Sequence, residues 1–515
     1  MPNGSRPAPL HGSDLVLLTL AMGLGTFMQV LDTSIANVSL PAISGDLAVS
    51  PNQGTWVITS FAVSNAIALP LTGWLSRRFG EVRLFVLSTL LFSLASWLCG
   101  IAPNLPLLIA CRVLQGAVAG PMVPLSQSLL LNNYPPEKKS IALALWSMTV
   151  IVAPIMGPIL GGWITDNLNW PWIFYINIPI GILSAFLTWQ LLRSRESATV
   201  RQPIDIVGLM LLMLGIGALQ VLLDKGNDLD WFESSQILLL AGVAGVALAF
   251  LVAWELTDKH PVVDLHLYGR RNFLVGSAIL SVGYFVFFGN VVILPLWLQT
   301  EMGFTATWAG LAAAPIGILP IFLSAFVGKN LHRLDLRVWA SFAFGIFAAV
   351  SFWNSGFNTD VTFWNIVLPR LLQGIGVAAF FVPLTSLTLS DLPPQMMASA
   401  TGLSNFSRIL AGSFGTSLSI TLWDRRSTLH HSVLAEHVTD FSPATDSTLS
   451  ALQGLGVPPA TDTAMLERLV HQQAVMQSTN DIFWLSGCLF VVLMLLVWMA
   501  RPPKHEAEIE EMGAH

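Results

Sequence analysis

RVLQGAVAGPMVPLSQSLLL, residues 112–131, returns as RLLQGIGVAAFFVPLTSLTL at 370–389, and YPPEKKS at 134–140 returns as LPPQMMA at 392–398. Both pairs are offset by 258 residues, so the chain is built from two copies of one unit. The surroundings of the repeats say what kind of unit it is. The chain has 515 residues, of which 54% are hydrophobic and only 10% charged, with a mean hydropathy of +0.67. A soluble protein carries about 25% charged residues. Several apolar runs reach the ~20 residues a helix needs to cross a bilayer. Short strands of alternating polarity, the mark of a membrane barrel, are absent.

Uncharged windows bounded by loop residues fall near 14–40, 53–75, 84–102, 105–131, 140–163 and 172–192, then 206–223 and 237–254. Six more fall near 273–299, 306–328, 338–353, 363–389, 398–422 and 482–500. The expected fold is therefore an all-α integral membrane protein with 14 transmembrane helices in a 6+2+6 plan, the repeats falling in the fourth and twelfth spans. The expected units are a tail at 1–13, a six-helix bundle at 14–192, two extra helices with their loops at 193–271, a second bundle at 272–501, and a tail at 502–515. The second bundle contains a hydrophilic outer insertion at 424–480, where Leu466, Leu469, Val470 and Ala474 have the spacing of an amphipathic helix.

Lys and Arg set the orientation. If the N-terminus is cytoplasmic, 17 of the 24 fall in inside segments and four outside (Lys225, Arg425, Arg426 and Arg468), while Arg112, Arg370 and Arg408 lie within spans. This obeys the positive-inside rule and puts both termini in the cytoplasm. Arg425 and Arg426, just beyond the thirteenth span, run against the trend. The net charge of -6 and the absence of a basic patch beyond the inside loops give no reason to expect nucleic acid as a partner. Cys99, Cys111 and Cys488 all fall in spans, which argues against a disulfide framework. The first apolar run is too long for a signal peptide and lacks a small-residue cleavage site. No G-x-x-x-x-G-K-[ST] or H-E-x-x-H motif is present, so the chain does not read as an enzyme or an ATP-driven pump. His430, His431 and His437 lack the Cys or close carboxylate that would complete a metal site, so no metal is expected.

One carboxylate stands out. FMQVLDTSIANVSLP, residues 27–41, places Asp32 in a stretch from Leu15 to Gly45 with no other charge. On a helix, Gly25, Met28, Gln29, Ala36 and Ser39 lie within ~60° of it, a small and polar stripe. A charge facing lipid costs ~2.5 to 3.5 kcal/mol, so Asp32 must line a cavity or be paired. Arg112 has Gln115, Gly116 and Ala119 on its side of the fourth span, and Arg408 shares a face with Thr401, Ser404, Asn405, Gly412 and Gly415. Ala153, Gly157 and Gly161 recur every four residues, so a neighbouring helix can approach closely, while Pro154 and Pro158 remove backbone donors.

Four segments carry a resemblance. LDTSIANVSLP (31–41), GWLSRRFGEVRL (73–84), RVLQGAVAG (112–120) and APIMGPILGG (153–162) resemble the motifs of the fourteen-span drug:proton antiporters of the major facilitator superfamily, in register with their span numbers. The resemblance covers nearly the whole chain. It implies two six-helix halves with a substrate site between them at the midplane. It further implies export of structurally diverse hydrophobic toxic compounds across the bacterial inner membrane, driven by the proton gradient and without a cofactor. Asp32 and Arg112 would then couple protons, a carboxylate alternating between wet and dry surroundings being able to load and release one; a static Asp32–Arg112 ion pair is the competing reading. Asn37, Gln115, Gln127, Asn290, Arg370, Asn405 and Arg408 are candidates for the substrate cavity. Ala153, Pro154, Gly157, Pro158, Gly161 and Gly162 form the antiporter motif, and Gly73, Arg77, Arg78, Gly80, Glu81 and Arg83 the cytoplasmic gating loop. That loop departs from the family pattern in having Ser76 where an Asp is expected, with Glu81 as the candidate replacement. The resemblance also implies a periplasmic membrane-fusion adaptor and an outer-membrane channel as partners, met through 424–480; a self-folded lid is the alternative. Proton-coupled uptake and a non-transporting receptor are the rival functions, and the fifth-span motif argues against the first.

Overall fold

In a membrane every backbone polar group must be satisfied internally, which for a chain of long apolar runs means helices. The computed structural model is all-helical among the residues it describes, which are 9–49, 51–200, 205–258, 261, 263–393, 396–439, 442–454 and 459–501. The first half consists of α1 (Ser13–Asp46), α2 (Trp56–Ala68), α3 (Thr72–Phe79), α4 (Glu81–Gly100), α5 (Leu105–Ala119), α6 (Met122–Asn133), α7 (Lys139–Asn167) and α8 (Asn177–Leu192). Two helices follow, α9 (Ile206–Lys225) and α10 (Ser235–Thr257). The second half holds α11 (Arg271–Thr300), α12 (Ala306–Ala313), α13 (Ile318–Asn330), α14 (Leu336–Asn354), α15 (Phe363–Leu389), α16 (Met397–Ala435), α17 (Pro443–Gly454) and α18 (Pro459–Leu496). Of the expected tails, residues 1–8 and 502–515 lie outside the described residues, as do Arg6, Arg201, Lys259 and Lys504 of the charge count.

Among the described residues, eleven helices are long and apolar enough to cross a membrane, or 13 if each of two bent pairs is one span. α2 and α3 form the first pair, bent by 62°; the second lies within α7, bent by 42° between Pro154 and Ile159, where the two prolines of the fifth-span motif stand. The thirteenth expected span, 398–422, lies in α16, which is not among these helices. Its polar residues explain why: Thr401, Asn405, Arg408 and Ser417 are buried against other helices, so this helix meets protein where the others meet lipid.

The duplication is visible in the packing. α1 lies along α7 in the first half as α11 lies along α16 in the second. The small and polar stripe around Asp32 faces inward, with Met28, Gln29, Ala36 and Ser39 all buried. The second half is centred on Phe344, Phe347, Phe380 and Phe490, rings packed 5.2–6.3 Å apart. Large apolar side chains point outward elsewhere, among them Phe322, Trp364, Leu239 and Leu495. α9 and α10 pack on each other, and α9 bridges α2 of the first half and α16 of the second.

The 424–480 insertion is not an open loop. α16 continues as a helix to Ala435, α17 follows, and α18 runs unbroken from Pro459 into its membrane segment. Along α18, Leu466 and Val470 are half-buried and Ala474 is buried, while Leu469 is exposed, so the amphipathic spacing turns one face inward.

Candidate functional site

The carboxylate of Asp32 lies inside the first bundle, 1% exposed. Its Oδ2 accepts from a terminal nitrogen of Arg112 at 2.6 Å, while Oδ1 accepts from Nε2 of Gln115 at 3.1 Å and Nδ2 of Asn177 at 2.8 Å. Arg112 is fully buried, donates through Nε to the Val57 carbonyl at 2.9 Å and lies over the Phe61 ring at 4.3 Å. Gln115 also accepts from Arg112 at 2.6 Å and donates to Ser96 Oγ at 2.8 Å. Helices α1, α2, α4, α5 and α8 thus all contribute to one polar knot. Taking two charges out of water costs several kcal/mol per ion, and only close pairing with further hydrogen bonds offsets it. The three donors on Asp32 meet that condition. Arg112 keeps one amino group, Nη2, without a hydrogen-bond partner among the described residues.

Sequence reasoning placed Asp32 and Arg112 correctly as a potential pair but missed Asn177 and Ser96. Asn177 opens α8 with an amide that looks, in sequence, like a helix-start residue. It is instead fully buried and bonded to both Asp32 and Ser96.

A second polar group joins the halves. Asn405 of α16 donates to Gln127 of α6 at 3.3 Å, and Thr401 donates to the Pro124 carbonyl at 3.4 Å. Arg408 donates to Asn405 and lies over Tyr284 at 4.5 Å and Phe381 at 5.9 Å. Gln127, Thr401, Asn405 and Arg408 line a small cavity together with Thr385, Ser404 and Leu280. Of the candidates for the substrate cavity, Gln127, Asn405 and Arg408 are therefore brought together. Gln115 belongs to the Asp32 knot, and Asn37 is exposed on α1. Asn290 is buried between α11 and α18, accepting from Ser486 at 2.9 Å. Arg370 is buried and donates to Gln373 at 2.7 Å, the same i to i+3 contact that Arg112 makes with Gln115.

The gating-loop residues mark one of the places where the halves touch; α7 also packs on α12 and α13. Gly73 faces Ser399 of α16 so closely that a Cβ would stand 2.9 Å from the Ser399 Cα, and Arg77 donates to the Ser399 hydroxyl at 3.0 Å. Ser76 is buried and bonds back to the Gly73 carbonyl at 3.0 Å. Glu81 accepts from Ser128 and Asn132 of α6, so its carboxylate is engaged within the first half. Gly80 has φ +90°, a left-handed conformation that favours glycine. Its turn lets Glu196 cap α4, accepting from the backbone N–H groups of Val82 at 3.0 Å and Arg83 at 2.9 Å. Arg83 stands 3.9 Å from the same carboxylate, and Arg78 is exposed.

The glycines of the fifth-span motif face α1. A Cβ on Gly157 would lie 3.1 Å from the Ser34 carbonyl carbon, and one on Gly161 would lie 3.2–3.5 Å from Ile35. Gly162 faces open space, and Ala153 is fully buried. The Ser34 hydroxyl donates to the Pro154 carbonyl at 2.9 Å. In an α-helix that carbonyl bonds to the N–H four residues on, but residue 158 is proline and has none. Ser34 supplies the missing donor. Of Pro158 itself, the side chain lies outside the described residues. Of the histidines, His430 contacts Asp481 at 2.7 Å, His431 contacts Glu467 at 2.8 Å, and His437 contacts its own helix at the Val433 carbonyl.

Comparison with known proteins follows the same lines. The Major Facilitator Superfamily profile matches residues 22–416. The chain is 53% identical over 496 residues to the multidrug export protein EmrB of Escherichia coli K12, covering 96% of this chain and 97% of that protein. It is 50% identical over 497 residues to the fatty acid resistance protein FarB of Neisseria gonorrhoeae, covering 96% and 98%. Among solved structures, a double-tryptophan mutant of XylE superposes with a TM-score of 0.64 at 15% identity, covering 97% of this chain and 99% of that one, a likeness of fold.

Proposed function

This chain belongs to the Major Facilitator Superfamily, and from that premise we propose that it is a multidrug exporter that trades hydrophobic toxic compounds for protons across the bacterial inner membrane. Several relatives over nearly its full length are named for multidrug export or fatty acid resistance, which supports export as the direction.

The observation that carries the coupling is the buried Asp32–Arg112 contact of 2.6 Å, which makes the charge of Asp32 dependent on where its partner stands. As the halves rock, loss or recovery of the Arg112 contact would change what the Asp32 carboxylate faces, and that exchange is the proposed coupling step. One proton crossing at 100 mV yields ~2.3 kcal/mol, enough for roughly a fiftyfold substrate gradient. Arg77 and Ser399 close the cytoplasmic end in the present arrangement, and Gln127, Asn405, Arg408 and Tyr284 form the wall a substrate would meet between the halves. Both termini are assigned to the cytoplasm.

We assign the helices at 424–480 to the periplasm, where they would meet a membrane-fusion adaptor of the EmrA kind, passing substrate on to an outer-membrane channel of the TolC kind. The deciding experiment measures protons released when lipophilic drugs are added to purified protein in weakly buffered detergent. Wild type releases them and Asp32→Asn does not; equal release from both would eliminate the proposed role.

A further inference from the structure

Of the two outer arginines that run against the charge bias, Arg426 is explained. It pairs with Asp481 at 2.6 Å, and His430 shares that carboxylate at 2.7 Å. Arg425 is exposed and pairs with no carboxylate among the described residues. It stands on the rim of a cavity of about 490 Å³ enclosed by α9, α10 and α16. The lining is apolar except for Thr421 and Arg425 themselves, with Leu222, Ala244, Leu248 and Phe414 among the walls.

This cavity lies apart from the polar group between the halves and does not include the Asp32 knot. Its shape is built. Trp231 lies on it, held by a hydrogen bond from its indole N–H to Thr421 at 2.8 Å. To place that ring the chain adopts φ +55° at Asp230 and +51° at Trp231, two consecutive left-handed residues that are not glycine. Such conformations cost energy and persist where the surroundings fix them. Gly245 also lines the cavity and leaves open space, for a Cβ there would touch nothing within 4 Å. Leu418 and Phe232 line the cavity and are exposed at 41% and 63%, which opens it toward the lipid.

We propose that this cavity binds an anionic phospholipid of the periplasmic leaflet, one acyl chain lying between α9, α10 and α16 and the phosphate on Arg425. A guanidinium matches a phosphate with two parallel hydrogen bonds, and a pocket of this size is within the range for acyl-sized ligands. The unpaired cation supplies the charge complementarity, and its position three residues beyond the expected span end at 422 puts it at headgroup level. A free fatty acid offers the same chemistry of chain and anion; the bilayer, however, presents phospholipid at the open side of the pocket continuously. The binding is independent of the proton cycle of Asp32.

The test uses the full chain, delipidated in nonionic detergent, with thermal midpoints recorded against added phosphatidylglycerol, phosphatidylethanolamine or oleate. Phosphatidylglycerol should raise the wild-type midpoint by several degrees and the other two by clearly less. R425Q, an exposed position that leaves folding intact, should raise the half-saturating phosphatidylglycerol concentration at least fivefold, with R425K recovering most of it. Ala244→Trp should block the chain site while leaving the cation. An unchanged titration in R425Q, or an oleate or phosphatidylethanolamine shift equal to that of phosphatidylglycerol, would overturn the proposal.

Discussion

Asn290 stands in the second half where Asp32 stands in the first, separated from it by the same 258 residues that separate Arg370 from Arg112 and Gln373 from Gln115. Both are buried, but Asp32 accepts from a buried arginine at 2.6 Å and Asn290 from the Ser486 hydroxyl at 2.9 Å. The duplication kept the arginine and glutamine in both halves and the carboxylate in only one. Proton handling in this chain is therefore expected to be one-sided, carried by the first half, while Arg370 contacts Gln373 and pairs with no carboxylate among the described residues.

Asp32→Asn keeps the shape of the side chain and its contact with Arg112 but removes the charge. Breaking a buried pair by neutralising one partner costs about 3–5 kcal/mol, because the other charge stays buried. The variant should insert, melt at a lower temperature than wild type, and lose drug resistance entirely. Asp32→Asn with Arg112→Gln removes both charges and should recover stability without recovering transport. Melting curves and growth on drug plates separate the two effects; recovery of resistance in the double variant would show that the pair is only a structural clamp.

Much of this could be read from the sequence, for physical reasons that also mark where reading stops. Apolar windows of bilayer length are a one-dimensional signal, and 13 of the 14 expected spans fall on helices or bent pairs that meet it. The remaining helix, α16, is sheltered by neighbours, so its hydropathy does not need to match lipid. The Asp32–Arg112 pair was legible because lone charges in apolar runs must find each other. Ser96 and Asn177 were not, since neutral polar residues in a span can bond to their own backbone and carry no such obligation. The role of Ser399 against Gly73 was equally silent, because a contact between halves leaves no pattern along one helix.

Gly73 admits Ser399 at the closed end, where a Cβ would stand 2.9 Å from the Ser399 Cα. Gly73→Val should hold the halves apart there and bias the protein toward opening at that end. Drug efflux should fall at least tenfold at normal expression, and a spin-label pair across that end should report a longer distance. An unchanged distance distribution would remove this contact from the gate.

Asp335 caps the start of α14, accepting from the Arg337 backbone N–H at 2.9 Å and from its guanidinium. Those hydrogen bonds hold the carboxyl below the usual range of an aspartate. A depressed value contributes stability that is present above the unfolded value near ~4 and is lost as pH falls through the folded one. Asp335→Ala should cost about 1 kcal/mol at neutral pH, as a lost helix cap does. Wild type and variant should converge as the melting experiments are carried down toward pH 3; a gap that widens with acid would contradict this assignment.

Ser34 and Pro154 hold together the contact between α1 and α7 at the fifth-span motif. The Pro154 carbonyl has no helical donor, because Pro158 lacks an N–H, and Ser34 donates to it across the helix boundary at 2.9 Å. A buried carbonyl left unsatisfied costs about 1–3 kcal/mol. Ser34→Ala should therefore lower stability by that amount, and Ser34→Thr, which keeps the hydroxyl but adds a methyl where Gly157 leaves little room, should do no better. Replacing Pro158 with Ala restores an N–H at the position where the helix would use it. Ser34→Ala in a Pro158→Ala background should then cost much less than in wild type, and a double-mutant cycle on thermal midpoints reads the difference directly. If the two substitutions are additive, the hydroxyl is not the substitute donor, and the Gly157 and Gly161 contacts alone must account for the close approach of these helices.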